Sequence, residues 1–203
     1  MPTQEKISKP IIIDIDDSRF VRDYIVSIFE KNYREVIEKL SDKKILCLNS
    51  DCEEIYLVDK ESIDYMIRLL SRGIKVYSLS LLIGFIRENR FIPSPYFLEL
   101  LYSMNRRIRG AVVARERGAR AFLYGNDLLL ESVYKIYEPF RRGLVVGVID
   151  RKDMRVIGVG EATTDLDEAM KWLKNKDYLT RPVVINKFDL GVFLREQDKE
   201  DLY

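Results

Sequence analysis

The stretch AFLYGNDLL, residues 121–129, contains a change of backbone conformation that determines the predicted fold of the second half of the chain. The residues just before the turn, ERGARAFLY, predict a short helix. Gly125 ends that helix, because glycine adopts the left-handed conformation after a helix without strain. The leucines that follow the turn predict a strand. The sequence therefore predicts a helix that passes through a Gly-Asn turn directly into a strand.

Short strands account for most of the chain on either side of this turn. They are RGAVVAR before the helix and DLLLESVYKIY, GLVVGVID, RVIGVGEA, RPVVINK and LGVFLRE after it, interrupted by one short helix, DLDEAMKWL, with Asp165 as its cap. Glycines recur within these strands, as they do where a small β-barrel turns its corners. Residues 110–203 are therefore predicted to form a small barrel-like domain.

The first half of the chain alternates helices and strands instead. Residues 17–40 repeat apolar positions every three or four residues and predict one long amphipathic helix, capped by Asp17 or Ser18. Two short strands follow, and two further helices then flank an apolar, β-leaning segment. The predicted fold class is therefore α+β, with an N-terminal α/β sandwich-like domain over residues 1–109 ahead of the barrel-like domain.

Composition narrows the classes of protein to be considered. The chain has 203 residues, 47% of them hydrophobic, with 34 basic and 33 acidic side chains and no histidine. Catalytic relays that use histidine are therefore excluded, and the two cysteines, Cys47 and Cys52, cannot complete a four-ligand zinc site alone. We expect both cysteines to be reduced. The sequence shows neither a signal peptide nor a membrane-spanning apolar run, so we expect a soluble, cytoplasmic protein.

A basic stretch, NRRIRGAVVARERGAR (residues 105–120), stands out in this nearly neutral chain. It contains six arginines and one acid, Glu116, and so carries a net charge of +5. Arginine makes bidentate contacts with phosphate and stacks on bases, which makes the stretch a candidate nucleic-acid contact. The alternative is a solvated face whose arginines pair with nearby acids.

Two other motifs suggest catalysis or a cofactor at first sight. IIIDIDDS, residues 11–18, resembles the first motif of haloacid-dehalogenase-type phosphatases, but the Ser/Thr, Lys and acidic partners of that mechanism do not follow in order. We expect these acids to start the first helix, where negative charge suits the helix dipole. The glycines of residues 143–162 form no phosphate-binding loop. No catalytic residue, metal site or cofactor is therefore predicted.

The second half of the chain resembles a known RNA-binding fold. Its helix ending in FLYGN, the strand pair VVGVIDRKDMRVIGVGEA and the closing LGVFLRE are similar to those of a PUA domain, a small pseudo-β-barrel. The resemblance implies an RNA surface on the first helix and the adjoining terminal strand. Carried over to this sequence, that surface comprises Arg117, Arg120, Gly125 and Asn126 of the helix and turn, Arg195 of the last strand and Lys199 beyond it, and the overlapping basic stretch adds Arg115.

The upstream half extends the resemblance. Residues 55–126, with Gly84-Phe85, Phe91 and the helix after it, resemble the Nip-seven family of large ribosomal subunit biogenesis factors, archaeal type. This resemblance covers residues 17–200 and implies a pre-PUA domain followed by a PUA domain. It implies a non-catalytic factor that binds single-stranded or structured pre-rRNA during large-subunit maturation. The implied protein partners are other ribosome assembly factors, with exosome components as candidates, while no membrane contact and a monomer are expected.

An RNA-modification enzyme, or its accessory subunit, is the alternative, since PUA domains often accompany pseudouridine synthases or methyltransferases. Such an enzyme needs a catalytic Asp in a basic cleft or a glycine-rich cofactor loop, and residues 1–109 are short for either catalytic domain and show no such loop. We therefore expect no enzymatic activity, and a cytoplasmic location, or a nucleolar one in a eukaryote. Tyr124 is a candidate for stacking on a base, and residues 165–181 have no assigned role.

Overall fold

The backbone folds into two units, Met1–Ile92 and Pro93–Tyr203. The structure, a computed structural model, describes residues 10–47, 53–72, 81–193 and 195. The observed division lies upstream of the predicted boundary near residue 109, because the intervening helix packs within the second unit. In that helix, the Glu99 carboxylate accepts a hydrogen bond of 2.6 Å from the backbone amide of Val156. The predicted α+β class is confirmed.

A five-stranded sheet forms the first unit. Its strands are β1 (Ile11–Ile13), β2 (Lys43–Cys47), β3 (Glu54–Asp59), β4 (Leu81–Arg87) and β5 (Arg90–Pro93). They follow one another across the sheet in chain order, and the first three neighbouring pairs are antiparallel. Strand β2 ends at Cys47, which is buried and disulfide-bonded. The expectation of a reduced thiol is therefore wrong for this residue.

The long helix predicted over residues 17–40 is interrupted in the structure. The helices of the first unit are α1 (Arg19–Phe29), α2 (Tyr33–Lys39) and α3 (Ile63–Ser71). A 3-10 turn, Glu30–Asn32, separates α1 from α2, and Glu30 has a φ of 51°, which an α-helix cannot contain. The apolar spacing continues across the break because both helices bury one face. Helix α1 begins after Ser18, although that side chain makes no capping hydrogen bond.

A six-stranded curled sheet forms the second unit, in agreement with the predicted barrel-like domain. Its strands are β6 (Ala111–Ala114), β7 (Leu128–Leu129), β8 (Val133–Tyr137), β9 (Val145–Asp150), β10 (Val156–Ala162) and β11 (Pro182–Asp189). Their order across the sheet is β7-β11-β10-β9-β6-β8. Strands β6 and β9 run parallel, and the other neighbours are antiparallel.

Three helices accompany this sheet within residues 93–191. They are α4 (Pro95–Asn105), α5 (Glu116–Leu123) and α6 (Leu166–Trp172). Helix α4 starts at Pro95, because the Ser94 hydroxyl accepts a hydrogen bond of 3.1 Å from the Phe97 amide and proline is tolerated in the first turn of a helix. Helix α5 inserts Phe122 into a core that includes Leu128. Complete burial of such a side chain stabilises the fold by roughly 1.5–3 kcal/mol.

The last predicted strand, LGVFLRE, is helical in its described part. Residues 192, 193 and 195 have helical backbone, and the Arg195 amide donates to the Gly191 carbonyl at 3.0 Å. The apolar run in this segment is too short for its period to distinguish a strand from a helix. The prediction that Arg195 lies on a terminal strand is therefore wrong, since Arg195 follows the last strand in a helical turn.

Candidate nucleic-acid interface

Helix α5 presents two exposed arginines at the surface of the second unit. Its apolar residues Ala119 and Phe122 face the core, so Arg117 and Arg120 lie on the opposite, solvent-facing side. Arg120 forms an exposed ion pair with Glu116, one helical turn earlier. The Arg117 side chain has no ion pair in the described part of the chain. The α5 face, Arg117 and Arg120, therefore carries at least one unpaired positive charge.

The Gly125–Asn126 turn follows α5 as predicted. Gly125 has a φ of 87°, and its amide donates to the Phe122 carbonyl at 2.9 Å, which closes the helix. The backbone amide and the side-chain amide of Asn126 each donate to the Ala121 carbonyl at 3.1 Å. Between the helix and the turn, the Tyr124 side chain is 75% exposed. Its ring is therefore accessible to a ligand.

A buried polar network fixes this turn. The Asp189 carboxylate, on a residue only 3% exposed, accepts hydrogen bonds of 2.9 and 3.0 Å from the two terminal nitrogens of Arg195. The side-chain amide of Asn186 donates to the same carboxylate at 3.1 Å and to the Phe122 carbonyl at 2.9 Å. Arg195 also donates to the Leu123 carbonyl. The network therefore satisfies carbonyls at the C-terminal end of α5, which have no partner within the helix.

The structure brings most of the predicted site residues together. Arg117, Arg120, Gly125 and Asn126 follow one another along α5 and its turn. Arg195 is adjacent, since its guanidinium carbon lies 3.6 Å from the position that a Cβ on Gly125 would occupy. The Arg195 side chain is only 35% exposed and its charge is paired with Asp189. Its contacts therefore position the turn. The seventh predicted residue, Lys199, lies outside the described residues.

Arg115 lies at the other end of α5. Its Nε donates to the Val133 carbonyl at 3.2 Å, and its guanidinium carbon lies 5.9 Å from the centre of the Tyr134 ring. Arg151, in the turn between β9 and β10, has its guanidinium carbon 3.9 Å from the same ring centre. Sequence reasoning identifies Arg115 but neither Tyr134 nor Arg151. The pairing of β6 with both β8 and β9 brings the three together.

Sequence reasoning also overlooks Asn186 and Asp189. Their position in the largely apolar strand PVVINKFD could have pointed to them, because polar residues need hydrogen-bond partners if they are buried. The sequence does not identify those partners. Asn186 and the Phe122 carbonyl, for example, are 64 residues apart in the chain.

The described ranges lack two further features. They contain no group of three His, Cys, Asp or Glu side chains arranged to hold a metal ion. None of their helices has the length and apolar character needed to cross a membrane.

Part of the second unit is similar to a known protein family. Residues 110–198 match the family described as the UPF0113 PUA domain. A UPF0113 protein of Archaeoglobus fulgidus is 33% identical over 102 residues, which are 50% of this chain and 55% of that protein. The chain therefore spans little more than half the length of this curated relative.

Two solved structures share the fold. A hypothetical protein from the hyperthermophilic archaeon Pyrococcus horikoshii is 14% identical, with a TM-score of 0.53 and coverage of 83% of this chain and 90% of that chain. A PUA domain from Aeropyrum pernix, in complex with tartrate, is 17% identical, with a TM-score of 0.52 and coverage of 84% and 88%. At these identities the likeness concerns the fold alone. Residues 110–198 therefore match a PUA domain, in agreement with the predicted PUA pseudo-β-barrel fold, and PUA domains generally bind RNA.

Proposed function

We propose that this protein binds single-stranded RNA through the α5 face and the Gly125–Asn126 turn, without catalysing a reaction. The observation that carries the proposal is the exposed pair Arg117 and Arg120 on α5, a helix whose C-terminal turn is held in place by a buried network. Arg117 has no acidic partner in the described part of the chain. An arginine fork suits phosphate oxygens. A turn that is already ordered costs little entropy on binding.

The exposed Tyr124 ring supports the choice of single-stranded RNA. A base that is not paired in a duplex can stack on an aromatic ring, and such stacking is tolerant of sequence. Contacts with phosphate make binding largely electrostatic, so the affinity is expected to fall as salt rises. Tyr124 lies directly between α5 and the Gly125–Asn126 turn, which places a ring and a charge on one short segment.

The cellular role that we propose is that of a Nip-seven-type factor, which binds pre-rRNA during maturation of the large ribosomal subunit. The similarity of residues 55–126 to that family supports this role. Other ribosome assembly factors, including exosome components, are the proposed protein partners, and the cytoplasm is the proposed location. Co-sedimentation of the tagged chain with large-subunit precursors tests the role. An even distribution of the chain across the gradient would contradict it.

RNA binding across a salt series tests the molecular function. The ligands are a uridine-rich single strand, an RNA duplex and a DNA single strand of equal length. We expect the RNA single strand to bind most tightly, and Arg117→Ala with Arg120→Ala to weaken its binding. Loss of two phosphate contacts lowers the slope of log affinity against log salt by about 1.4.

The matched control is Arg142→Ala with Arg155→Ala. Both arginines are exposed and each is paired with an acid, Glu168 and Glu99 respectively, so the control removes the same charge from a different surface. We expect this control to bind RNA like the wild type. Equal weakening by both double variants would contradict the site, and chemical modification of the RNA after incubation would contradict the non-catalytic assignment.

A further inference from the structure

A β-bulge at the start of β8 turns one tyrosine towards solvent. In the register of β6 with β8, Val113 pairs with Lys135 and Ala114 pairs with Val133, which leaves Tyr134 as the extra residue. Tyr134 and Lys135 are consecutive and both exposed, contrary to the alternation of a regular strand. A bulge redirects a side chain in this way. Here it leaves the Tyr134 side chain 49% exposed.

Two arginines flank this ring because of the strand pairing. Strands β6 and β9 are parallel neighbours with Ala114 opposite Asp150, so the residues that follow them, Arg115 and Arg151, emerge at the same edge of the sheet. The Arg151 amide donates to the Ala114 carbonyl at 3.1 Å. The guanidinium carbons lie 5.9 Å and 3.9 Å from the ring centre for Arg115 and Arg151 respectively. The backbone therefore fixes the position of all three side chains.

Neither guanidinium group has an acidic partner within the described residues. Arg155, in the same hairpin as Arg151, differs because its Nε lies 3.4 Å from the Glu99 carboxylate. Two unpaired positive charges on one half-exposed ring repel each other until an anion comes between them. Guanidinium groups beside an exposed aromatic ring are also the groups that bind a phosphate and stack on a base.

We propose that Arg115, Tyr134 and Arg151 form a second RNA-binding site, which we call the bulge site. The two guanidinium groups bind a backbone phosphate, and the open part of the Tyr134 ring stacks on a base. This inference rests on the proposed function and extends it along the helix. The eight residues of α5 rise by about 12 Å, so one single strand passes from the Gly125–Asn126 turn at one end to the bulge site at the other.

Single substitutions in the full chain test the bulge site, with a uridine-rich RNA single strand as the probe. We expect Arg151→Gln to weaken binding about fivefold and to lower the salt slope by about 0.7, because one phosphate contact is lost. Tyr134→Leu removes the ring and is expected to weaken binding at least about fivefold, whereas Tyr134→Phe keeps the ring and binds like the wild type. Arg155→Gln is the matched control, since it removes an equal charge from the same hairpin.

Covalent mapping provides a second measurement. An iodouridine-substituted strand, irradiated in complex with the wild-type protein, is expected to crosslink to the peptide that contains Tyr134. Arg151 is exposed, so its substitution tests the site even if Tyr134→Leu lowers stability. If the Arg117→Ala, Arg120→Ala variant loses affinity while Arg151→Gln and Tyr134→Leu bind like the wild type, the bulge site is wrong and the proposed function stands. If the wild-type protein binds no RNA, both proposals are wrong.

Discussion

Substitution of the buried Asp189 by asparagine tests whether the polar network holds the end of α5. The carboxylate accepts three hydrogen bonds, two from Arg195 and one from Asn186. Asparagine has nearly the same shape but only one oxygen. Its amide nitrogen must therefore face at least one of these donors, and the Arg195 guanidinium loses its ion pair with the Asp189 carboxylate.

The expected cost of this substitution follows from the number of bonds and their burial. Hydrogen bonds to charged groups contribute about 1.5–3 kcal/mol each, and breaking a fully buried ion pair costs about 3–5 kcal/mol. The Arg195 side chain is 35% exposed, so water replaces part of what it loses. We therefore expect Asp189→Asn to lower the free energy of unfolding of the second unit by about 2–3 kcal/mol.

Urea unfolding followed by tryptophan fluorescence measures this loss. Trp172 is the single tryptophan of the chain and lies in α6, so the signal reports on the second unit. The control is Asp167→Asn, which changes an exposed aspartate of α6 and is expected to alter the free energy of unfolding by less than about 0.5 kcal/mol.

A double-mutant cycle separates the ion pair from other effects. Arg195→Gln is expected to cost less in the Asp189→Asn background than in the wild type, because the partner is already absent. If Asp189→Asn and Asp167→Asn unfold at the same urea concentration, the network does not stabilise the second unit. If the effects of Asp189→Asn and Arg195→Gln simply add, the two side chains are not coupled, and the proposed ion pair does not contribute to stability.

Three further predictions concern close packing in the second unit. Gly191→Ala is expected to destabilise it by about 3 kcal/mol in the same urea assay, because the new Cβ would lie 1.8 Å from the Leu123 carbonyl oxygen. Alanine usually stabilises a helix relative to glycine. Gly118→Ala is nevertheless expected to lower the melting temperature, because the new Cβ would lie 2.3 Å from the Cβ of Ser132. An unchanged or raised melting temperature would contradict this. The Tyr102 hydroxyl has no hydrogen-bond partner in the described chain, and burial raises its pKa. Tyr102→Phe is therefore expected to stabilise the unit by about 1 kcal/mol. A loss of stability would show that the hydroxyl is hydrogen-bonded.

Features set by neighbouring residues could be predicted from the sequence. The end of α5 at Gly125, in the left-handed conformation, could be predicted because the place where a helix ends depends on a few adjacent residues. The break at Glu30 could not be predicted, because apolar spacing reports which face is buried and continues through a change of backbone. The helical turn at Arg195 follows too short an apolar run for its period to be read.

The candidate site could be predicted only in the part that is local in sequence. The basic stretch identifies Arg117 and Arg120 because their charge is visible in the composition of a short segment. The bulge site needs three strands, since Tyr134 and Arg151 come from β8 and the end of β9. The buried network likewise joins α5 to a strand near the end of the described chain. Sequence alone predicts that such polar residues need partners, and the fold supplies them.

The electrostatics of the end of α5 explain why the buried carboxylate of Asp189 lies next to the proposed RNA-binding turn. The C-terminal end of a helix carries partial negative charge on its carbonyls, which repels phosphate. In this protein Asn186 and Arg195 donate to the Phe122 and Leu123 carbonyls at the end of α5, next to the proposed binding turn. Asp189 holds both donors in place. The network therefore offsets the negative end of α5 as well as stabilising it, so Asp189→Asn is expected to weaken RNA binding even though it removes a negative charge, whereas a contribution from net charge alone would strengthen it.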